Sequence, residues 1–185
     1  IGRFPVRSIT EANGVVDKII RYDNSSGVLG DWRNRIVFIA DDEDNNTHLK
    51  DSDEISEIVK EAHPILNVDK IYFDAFQQVS TSGGARYPKV QETITREVFK
   101  GLLALSYMGH GGGRGWAQER VLTNSDIAGW DNKDKMPLLV TATCSFAGYD
   151  EASYTSAGEQ VFLKNDGGAI ALFTTTRAVY TNSNK

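Results

Sequence analysis

Two hydrophobic patterns alternate along this chain. In some segments apolar residues recur at the spacing of a helix face, and in others they form short runs bounded by Gly, Pro or charged residues. The first pattern predicts helices over residues 8–22, 52–62, 88–100 and 156–164. The second predicts strands over Arg35–Ala40 and over residues 70–76, 102–108, 138–143 and 169–175. Strands that alternate with helices predict an α/β fold, in which helices cover both faces of a mostly parallel sheet.

Two of the predicted strands end on reactive side chains. The run 102–108 leads through Gly109 to His110, and the run 138–143 ends at Cys144, the only cysteine of the chain. The carboxyl ends of parallel strands lie along one edge of a sheet, perpendicular to the strands, and in open α/β folds ligands bind and reactions take place there. The pattern therefore predicts that an imidazole and a thiol meet at this edge.

Such a pair is typical of nucleophilic catalysis by cysteine. A free thiol has a pKa near 8.5, so a neighbouring base that takes its proton raises its reactivity at neutral pH. We interpret Cys144 as the nucleophile and His110 as the base. The glycines after His110 let a backbone approach the substrate closely, and the N–H groups of Gly111 and Cys144 are the candidate donors to an oxyanion.

Other interpretations of these residues compete with the catalytic one. A lone cysteine at a strand end is often a small core residue. His110 and its three glycines also resemble the oxyanion segment of lipases and esterases, but neither the Gly-x-Ser-x-Gly motif nor a later histidine follows residue 113. A dinucleotide-binding fingerprint fails because Arg114 stands where the third Gly belongs.

Composition narrows the class of protein further. A chain of 185 residues can bury a core without disulfides, and one cysteine excludes an internal bridge. The formal net charge is −5 and no basic cluster interleaves with aromatic residues, so nucleic acid is not an expected partner. The apolar runs fall far short of the roughly 20 residues of a membrane span, and no signal peptide is visible. We expect one domain that is an internal piece of a longer protein, because the chain begins at Ile1 without an initiator methionine.

Two further segments carry candidate binding residues. Residues 41–48 are the most acidic stretch, and Asp41, Asp42 and Asp44 are candidate ligands of a structural calcium ion, the only cofactor considered. The EF-hand spacing is absent, and acidic loops are commonly just solvated. Residues 116–136 form an insertion between the two reactive strands, with a short helix predicted over 124–128. Trp116 is predicted either to line a substrate groove or to pack in the core.

Several segments of the chain resemble the gingipain family of cysteine peptidases, which belongs to the caspase-like clan. In that family an apolar strand ends in His-Gly, and a later strand ends in a small residue followed by Cys, as at His110 and Cys144 here. Residues 2–8, 31–44, 107–112, 116–120 and 171–177 share the resemblance, which extends over nearly the whole chain. These segments are most similar to the sortases of the type IX secretion system of Bacteroidetes.

The resemblance implies roles for residues that the hydrophobic pattern does not single out. A carboxylate from the region of residues 41–48 orients the catalytic histidine in the gingipains, and matching this region through His48 favours Asp44, while Asp41, Asp42 and Asp51 remain alternatives. His48 itself is expected to be a loop residue. Residues just beyond the last strand wall the specificity pocket, which implicates Thr175, Thr176 and Tyr180. The chain has no clear counterpart of the acidic residue that gives the gingipains their basic specificity.

The resemblance also implies a function and a place in the cell. It implies a cysteine endopeptidase that removes C-terminal secretion signals from cargo proteins and can transfer the new carboxyl end to a lipopolysaccharide amine. Its partners would be cargo proteins and outer-membrane secretion components, and its location the outer membrane at the cell surface. Two alternatives stay open: a secreted gingipain-like endopeptidase without transferase activity, and a peptidase-like module that binds cargo without cleaving it.

Overall fold

The structure, a computed structural model, describes residues 2–24 and 26–180. Its strands are β1 (Arg35–Ala40), β2 (Asn67–Tyr72), β3 (Val79–Thr81), β4 (Gly84–Arg86), β5 (Ala104–Met108), β6 (Gly111–Gly112), β7 (Gly115–Trp116), β8 (Leu122–Thr123), β9 (Leu138–Ala142) and β10 (Ala171–Phe173). Its α-helices are α1 (Ile9–Asn24), α2 (Thr47–Ala62), α3 (Pro88–Lys100), α4 (Asn124–Gly129) and α5 (Ala157–Leu163).

The central sheet has five strands in the order β2-β1-β5-β9-β10, and every neighbouring pair is parallel. The chain steps outward from β1 to β2 and then returns across β1 to β5, β9 and β10. Right-handed crossovers therefore put α2 on one face of the sheet and α3, α4 and α5 on the other. The direction of winding reverses between β1 and β5, which opens a crevice at their carboxyl ends.

The core lies against the middle of this sheet. Val37 and Ile39 of β1, Leu105 and Tyr107 of β5 and Leu139 of β9 are fully buried. At about 25 cal/mol per Å² of apolar surface removed from water, each of these side chains stabilises the fold by about 1.5–3 kcal/mol. The rigid core fixes the strand ends, and the residues that follow them inherit this rigidity.

The predicted α/β fold with its parallel sheet is confirmed, and the bounds of β1 agree with the prediction. Most other predicted elements differ from the structure in their limits, and the largest differences are in α2 and β2. Helix α2 begins at Thr47 rather than at residue 52, and β2 covers Asn67–Tyr72 rather than 70–76, because a single 3₁₀ turn occupies Phe73–Ala75.

Two small antiparallel sheets were missed. Strands β3 and β4 form a hairpin where a loop was predicted at residues 81–84. Strands β6, β7 and β8 form a sheet directly after β5, inside and just before the predicted insertion. Both sheets are made of strands of two or three residues, which are too short to show a hydrophobic alternation.

Candidate active site

The backbone of His110 is held on both sides at the carboxyl edge of β5. Its N–H donates to Asp41 Oδ2 at 2.5 Å, and its carbonyl accepts from the Tyr107 hydroxyl at 2.6 Å and from Ala117 N–H at 2.8 Å. Asp41 directly follows β1, the strand next to β5, and is completely buried. Neighbouring strands of the sheet thus fix the main chain of His110, while its side chain stays 41% exposed.

Burial shifts the pKa of both side chains that hold this backbone, Asp41 and Tyr107. Burial raises the pKa of Asp41, an effect that the His110 N–H and the nearby imidazoles oppose. Burial, with the charge of Asp41 added, raises the pKa of Tyr107 far above its usual value. Tyr107 therefore remains a hydroxyl that donates to the His110 carbonyl.

Asp44 lies against the imidazole of His110. Its Oδ2 is 3.1 Å from His110 Nε2. Asp44 is the first of three consecutive residues with positive φ, followed by Asn45 and Asn46, with φ values of 54, 55 and 62°. Asp and Asn tolerate this left-handed conformation better than other residues with a side chain. The tight turn carries the chain from the end of β1 into α2 and brings Asp44 beside His110.

His48 lies in the first turn of α2 and is part of the same cluster, which corrects the expectation of a loop residue. It is 5% exposed, and its ring stands at 87° to that of His110 with 5.3 Å between centroids. Its Nε2 lies 3.3 Å from Asp44 Oδ2 and 3.8 Å from Asp41 Oδ1. Ser52 and Ser56 are the other buried residues of α2, so the buried side of this helix carries polar residues.

Cys144 follows β9, which pairs with β5 on the side opposite β1. The segment after β10 runs alongside the residues that follow Cys144: Ser145 N–H donates to Arg177 O at 3.0 Å and Ala147 N–H to Thr175 O at 3.0 Å. The thiol itself lies 3.6 Å from Val179 O. Cys144 is a free cysteine and is half-buried.

The N–H of Gly111 points away from its partner strand. The register of β6 and β7 places Gly111 opposite Trp116 and extends to His110 opposite Ala117, whose N–H bonds the His110 carbonyl. Bonded and non-bonded pairs alternate in antiparallel strands, so the pair Gly111–Trp116 is a non-bonded one. A Cβ on Gly111 would lie 2.6 Å from Thr143 Oγ1, which places Gly111 beside the residue preceding Cys144.

The N–H of Cys144 lies beyond the end of β9. It has no hydrogen-bond acceptor among residues 2–24 and 26–180. Two backbone N–H groups are thus left unpaired by the strands, and they lie just after the neighbouring strands β5 and β9. This is the arrangement that an oxyanion site requires, and the assignment of Gly111 and Cys144 to it stays a prediction.

A cleft of about 760 Å³ opens beside His110. Its walls are formed by β6, β7, β8 and the start of α4, and they include Arg114 and Arg120. Among residues 2–24 and 26–180, neither an aspartate nor a glutamate lines it. The cleft is therefore lined by cationic and neutral groups.

The remaining predicted binding residues occupy different environments. Trp116 borders the cleft beside His110, but it is completely buried, stacked on Tyr107 at 4.4 Å and tilted against Phe146 at 5.7 Å, so its side chain packs in the core. The Thr175 hydroxyl donates to Thr143 O and so supports the segment that carries Cys144. Thr176 borders a second cleft, lined also by Phe4 and Tyr149 among others, and Tyr180 is 85% exposed. Binding roles for the three residues after β10 stay predictions.

The three aspartates considered for calcium make different contacts. Asp42 accepts a hydrogen bond from the Tyr87 hydroxyl at 2.6 Å, Asp41 bonds the His110 backbone, and Asp44 contacts the imidazoles. Among the described residues, the group whose ligand atoms converge is instead Asp41, His48 and His110. This group includes nitrogen ligands, which calcium disfavours. Asp51, the remaining alternative to Asp44, lies within α2.

Sequence reasoning missed the supporting roles of Tyr107, Val179 and His48. Tyr107 is on a buried strand, and nothing in its hydrophobic context indicates that its hydroxyl reaches three residues along the chain. Val179 acts through its carbonyl, which carries no side-chain signal. His48 gave no signal either, because helical spacing from Asp44 applies only within a helix, and Asp44 belongs to the left-handed turn that precedes α2.

Comparison with known proteins places the chain in a family. The family model for peptidase family C25 matches residues 1–185. None of the curated proteins compared with the chain matches it.

Solved structures share the fold. The crystal structure of the Arg-specific cysteine proteinase gingipain R (RgpB) superposes with a TM-score of 0.78 at 16% identity, over 97% of this chain and 40% of that one. The complex of the pro- and mature domains of RgpB from Porphyromonas gingivalis gives 0.77 at 15% identity, over 96% and 41%. A structure described as a protease gives 0.73 at 19%, over 96% and 36%. The chain thus spans about two fifths of the solved chains it matches.

Proposed function

The chain belongs to peptidase family C25, the gingipain family of cysteine peptidases, and we propose that it cleaves peptide bonds with Cys144 as nucleophile and His110 as base. The observation that carries the proposal is the position of these two residues. They follow the adjacent parallel strands β9 and β5 at the carboxyl-terminal end of the sheet, and β5 is also one of the two strands between which the winding reverses. That end of the sheet is the usual place for chemistry in an open α/β fold.

The proposed reaction proceeds in two stages. His110 takes the proton of the Cys144 thiol, and the thiolate attacks the peptide carbonyl carbon. The N–H groups of Gly111 and Cys144 stabilise the oxyanion that forms. The tetrahedral adduct then collapses: the C–N bond breaks, the leaving amine takes the proton from His110, and a thioester remains. Water or an amine resolves the thioester and restores the thiol.

The surroundings of His110 suit a residue that gains and loses a proton. Asp44 lies next to Nε2, where a carboxylate stabilises the imidazolium and holds the ring, and Nδ1 is left for proton transfer. Asp41 and Tyr107 fix the backbone through hydrogen bonds at 2.5 and 2.6 Å. Positioning of this kind matters because a misplacement of about 1 Å can cost about 100-fold in rate.

The cleft beside His110 bears on substrate choice. Arg114 and Arg120 line it, and no Asp or Glu of the described part of the chain does. A substrate side chain carrying a positive charge would meet like charges there. We therefore do not extend the Arg specificity of gingipain R to this protein.

We further propose that the complete protein acts as a type IX secretion sortase of the PorU type. Support comes from the sequence similarity of residues 2–8, 31–44, 107–112, 116–120 and 171–177 to that branch of the family. In this role it removes the C-terminal signal domain of cargo proteins at the outer-membrane surface and passes the new carboxyl end to a lipopolysaccharide amine. Its partners are then the cargo proteins and the outer-membrane components that deliver them.

Thiol activation is tested by alkylation. We expect a cysteine-directed alkylator to label Cys144 of the complete protein faster than free cysteine at neutral pH, and His110→Ala to abolish the difference. His63→Ala is the matched control, because His63 is exposed at the end of α2. Equal labelling of wild type and His110→Ala would contradict an activated thiol and would favour a module that binds without cleaving.

The sortase role is tested separately by the fate of the cleaved cargo. Mass spectrometry of the new C-terminus should find it joined to a lipopolysaccharide amine when that acceptor is present. A free carboxylate under the same conditions would support a secreted endopeptidase without transferase activity.

A further inference from the structure

The ligand atoms of three side chains lie close together at the carboxyl-terminal end of β1 and β5. One ligand atom each from Asp41, His48 and His110 lies within 4.8 Å of the other two. They come from separate elements, since Asp41 follows β1, His48 opens α2 and His110 follows β5. The core of the sheet holds their main chains in place, so this proximity does not depend on a flexible loop.

Two members of the group carry buried polar atoms without a hydrogen-bond partner among the described residues, and of these His48 Nε2 and Asp41 Oδ1 face each other. Neither ring nitrogen of His48 has a hydrogen-bond partner in the described part of the chain, although the residue is 5% exposed. Asp41 Oδ1 is likewise buried and without a donor, and it faces His48 Nε2 at 3.8 Å. Buried polar atoms in folded proteins are nearly always satisfied, and a bound cation is one way to satisfy them.

Asp44 provides a fourth ligand at the open side of the group. Its Oδ2 lies 3.1 Å from His110 Nε2 and 3.3 Å from His48 Nε2. These separations approach those between ligands of a tetrahedral ion at about 2.0–2.2 Å from each. Asp44 is 51% exposed, so an ion can enter from solvent past it.

We propose that Asp41, His48 and His110, closed by Asp44, bind a late first-row divalent cation such as Zn²⁺. Two imidazoles with carboxylates match the preferences of zinc and its neighbours, whereas calcium and magnesium prefer oxygen ligands alone. Cys144 is not part of the set. The bound ion occupies a nitrogen of His110 and so keeps that residue from accepting a proton. This second statement rests on the proposed peptidase function, whereas the binding site itself does not.

Metal binding is measured first, and without reference to activity. In a Cys144→Ala background, which removes the competing thiol, calorimetry of the complete protein with Zn²⁺ should show a site that His48→Gln weakens at least about 100-fold. Asp41→Asn should weaken it too, while it preserves an oxygen acceptor for the His110 N–H. If His48→Gln fails to fold, Asp41→Asn still tests the site. His63→Ala should leave the affinity unchanged.

Co²⁺ then reports which ligands hold the ion. Wild type should show the visible bands of four-coordinate cobalt without a thiolate-to-cobalt charge-transfer band, and Cys144→Ala should give the same spectrum. A charge-transfer band would place the metal on Cys144 and overturn the proposal. Equal Zn²⁺ affinity in wild type, His48→Gln and Asp41→Asn would overturn it as well.

Inhibition is the last arm of the experiment. Zn²⁺ should block peptide cleavage by the wild type reversibly, with recovery on chelation, and the inhibitory concentration should rise in His48→Gln by the factor found for binding. Binding without inhibition would retain the metal site and refute its effect on His110. If the protein cleaves no peptide at all, the calorimetry still decides whether the metal site exists.

Discussion

Gly111→Ala tests the proposed oxyanion donor most sharply. A Cβ at this position would lie 2.6 Å from Thr143 Oγ1 and 2.9 Å from the carbonyl oxygen of Gly115, whereas ordinary contact begins at 3.4 Å. One of these obstacles is backbone, so the strain cannot be relieved by turning a side chain alone. Strand β6 must shift away from Thr143, and the N–H of Gly111 moves with it.

The size of the effect follows from this displacement. The backbone has to move by somewhat under about 1 Å, and a reacting group misplaced by that much loses about 100-fold in rate. Overpacking of this kind costs about 1–3 kcal/mol of stability, which a domain of this size tolerates. Gly112→Ala is the matched control, because a Cβ there would meet no atom within 4 Å.

The assay compares two reactions of the same thiol. Cleavage of a peptide substrate by the complete protein forms an oxyanion, whereas alkylation of Cys144 does not. We expect Gly111→Ala to lower kcat/KM about 100-fold with alkylation nearly unchanged, and Gly112→Ala to leave both near wild type. Cleavage by Gly111→Ala within about threefold of wild type would refute the oxyanion role, and a parallel loss of alkylation would show that the dyad itself had moved.

Three other predictions follow from the environments of individual side chains in the structure. Asp44→Asn should lower kcat/KM about tenfold, because Asp44 and His110 are 51% and 41% exposed and their interaction is screened to about 1 kcal/mol; a loss near 10⁴, as for buried triad aspartates, would contradict this. Burial lowers the pKa of Lys18 to about 7 from 10.5, so the unfolded chain binds more protons above pH 7, and the cost of burying Lys18 falls as the pH rises from 7 to about 10. Denaturant titrations at pH 7, 8 and 9 should therefore show the wild type gaining stability relative to Lys18→Met. A constant difference between the two would mean that Lys18 stays protonated. Its Nζ donates to three carbonyls, those of Phe162, Lys164 and Gly167, which would then stabilise the charge. Trp116→Ala should lower the free energy of unfolding by about 3–5 kcal/mol, and a change in KM without that loss would restore the groove interpretation.

The sequence predicts the parts of the fold that obey a hydrophobic pattern. Strand β1 is a run of apolar residues buried between neighbours, so its limits follow directly from its composition. Strands β5 and β9 were predicted within two residues of their observed limits, which also places His110 and Cys144 after neighbouring parallel strands. Knowing that two parallel strands end on these residues is enough to expect their proximity.

Where polar groups determine the structure, the pattern does not predict it. Helix α2 was placed five residues too late because its first buried positions are His48, Ser52 and Ser56, which carry no apolar signal. Ile58, an apolar residue of the same helix, is 57% exposed. Likewise β2 is an edge strand with exposed Asp69 and Lys70, so its sequence lacks the run that marks a central strand.

The supporting contacts around His110 belong to the same class. They depend on the three left-handed residues that begin at Asp44 and on a hydrogen bond from a main-chain N–H to Asp41. Such contacts join residues that are far apart in the chain, and only the register between β1 and β5 brings them together.

Cleavage by a Cys144→Ala variant tests the central claim most directly. The complete protein and the variant are incubated with a library of peptides derived from secreted proteins, including the C-terminal domains of candidate cargo, and cut sites are identified by mass spectrometry. The account predicts cuts by wild type that disappear in Cys144→Ala, while the variant keeps the melting temperature of the wild type. Unchanged cleavage by Cys144→Ala would contradict it, because Cys144 would then be a structural residue and the nucleophile would lie elsewhere.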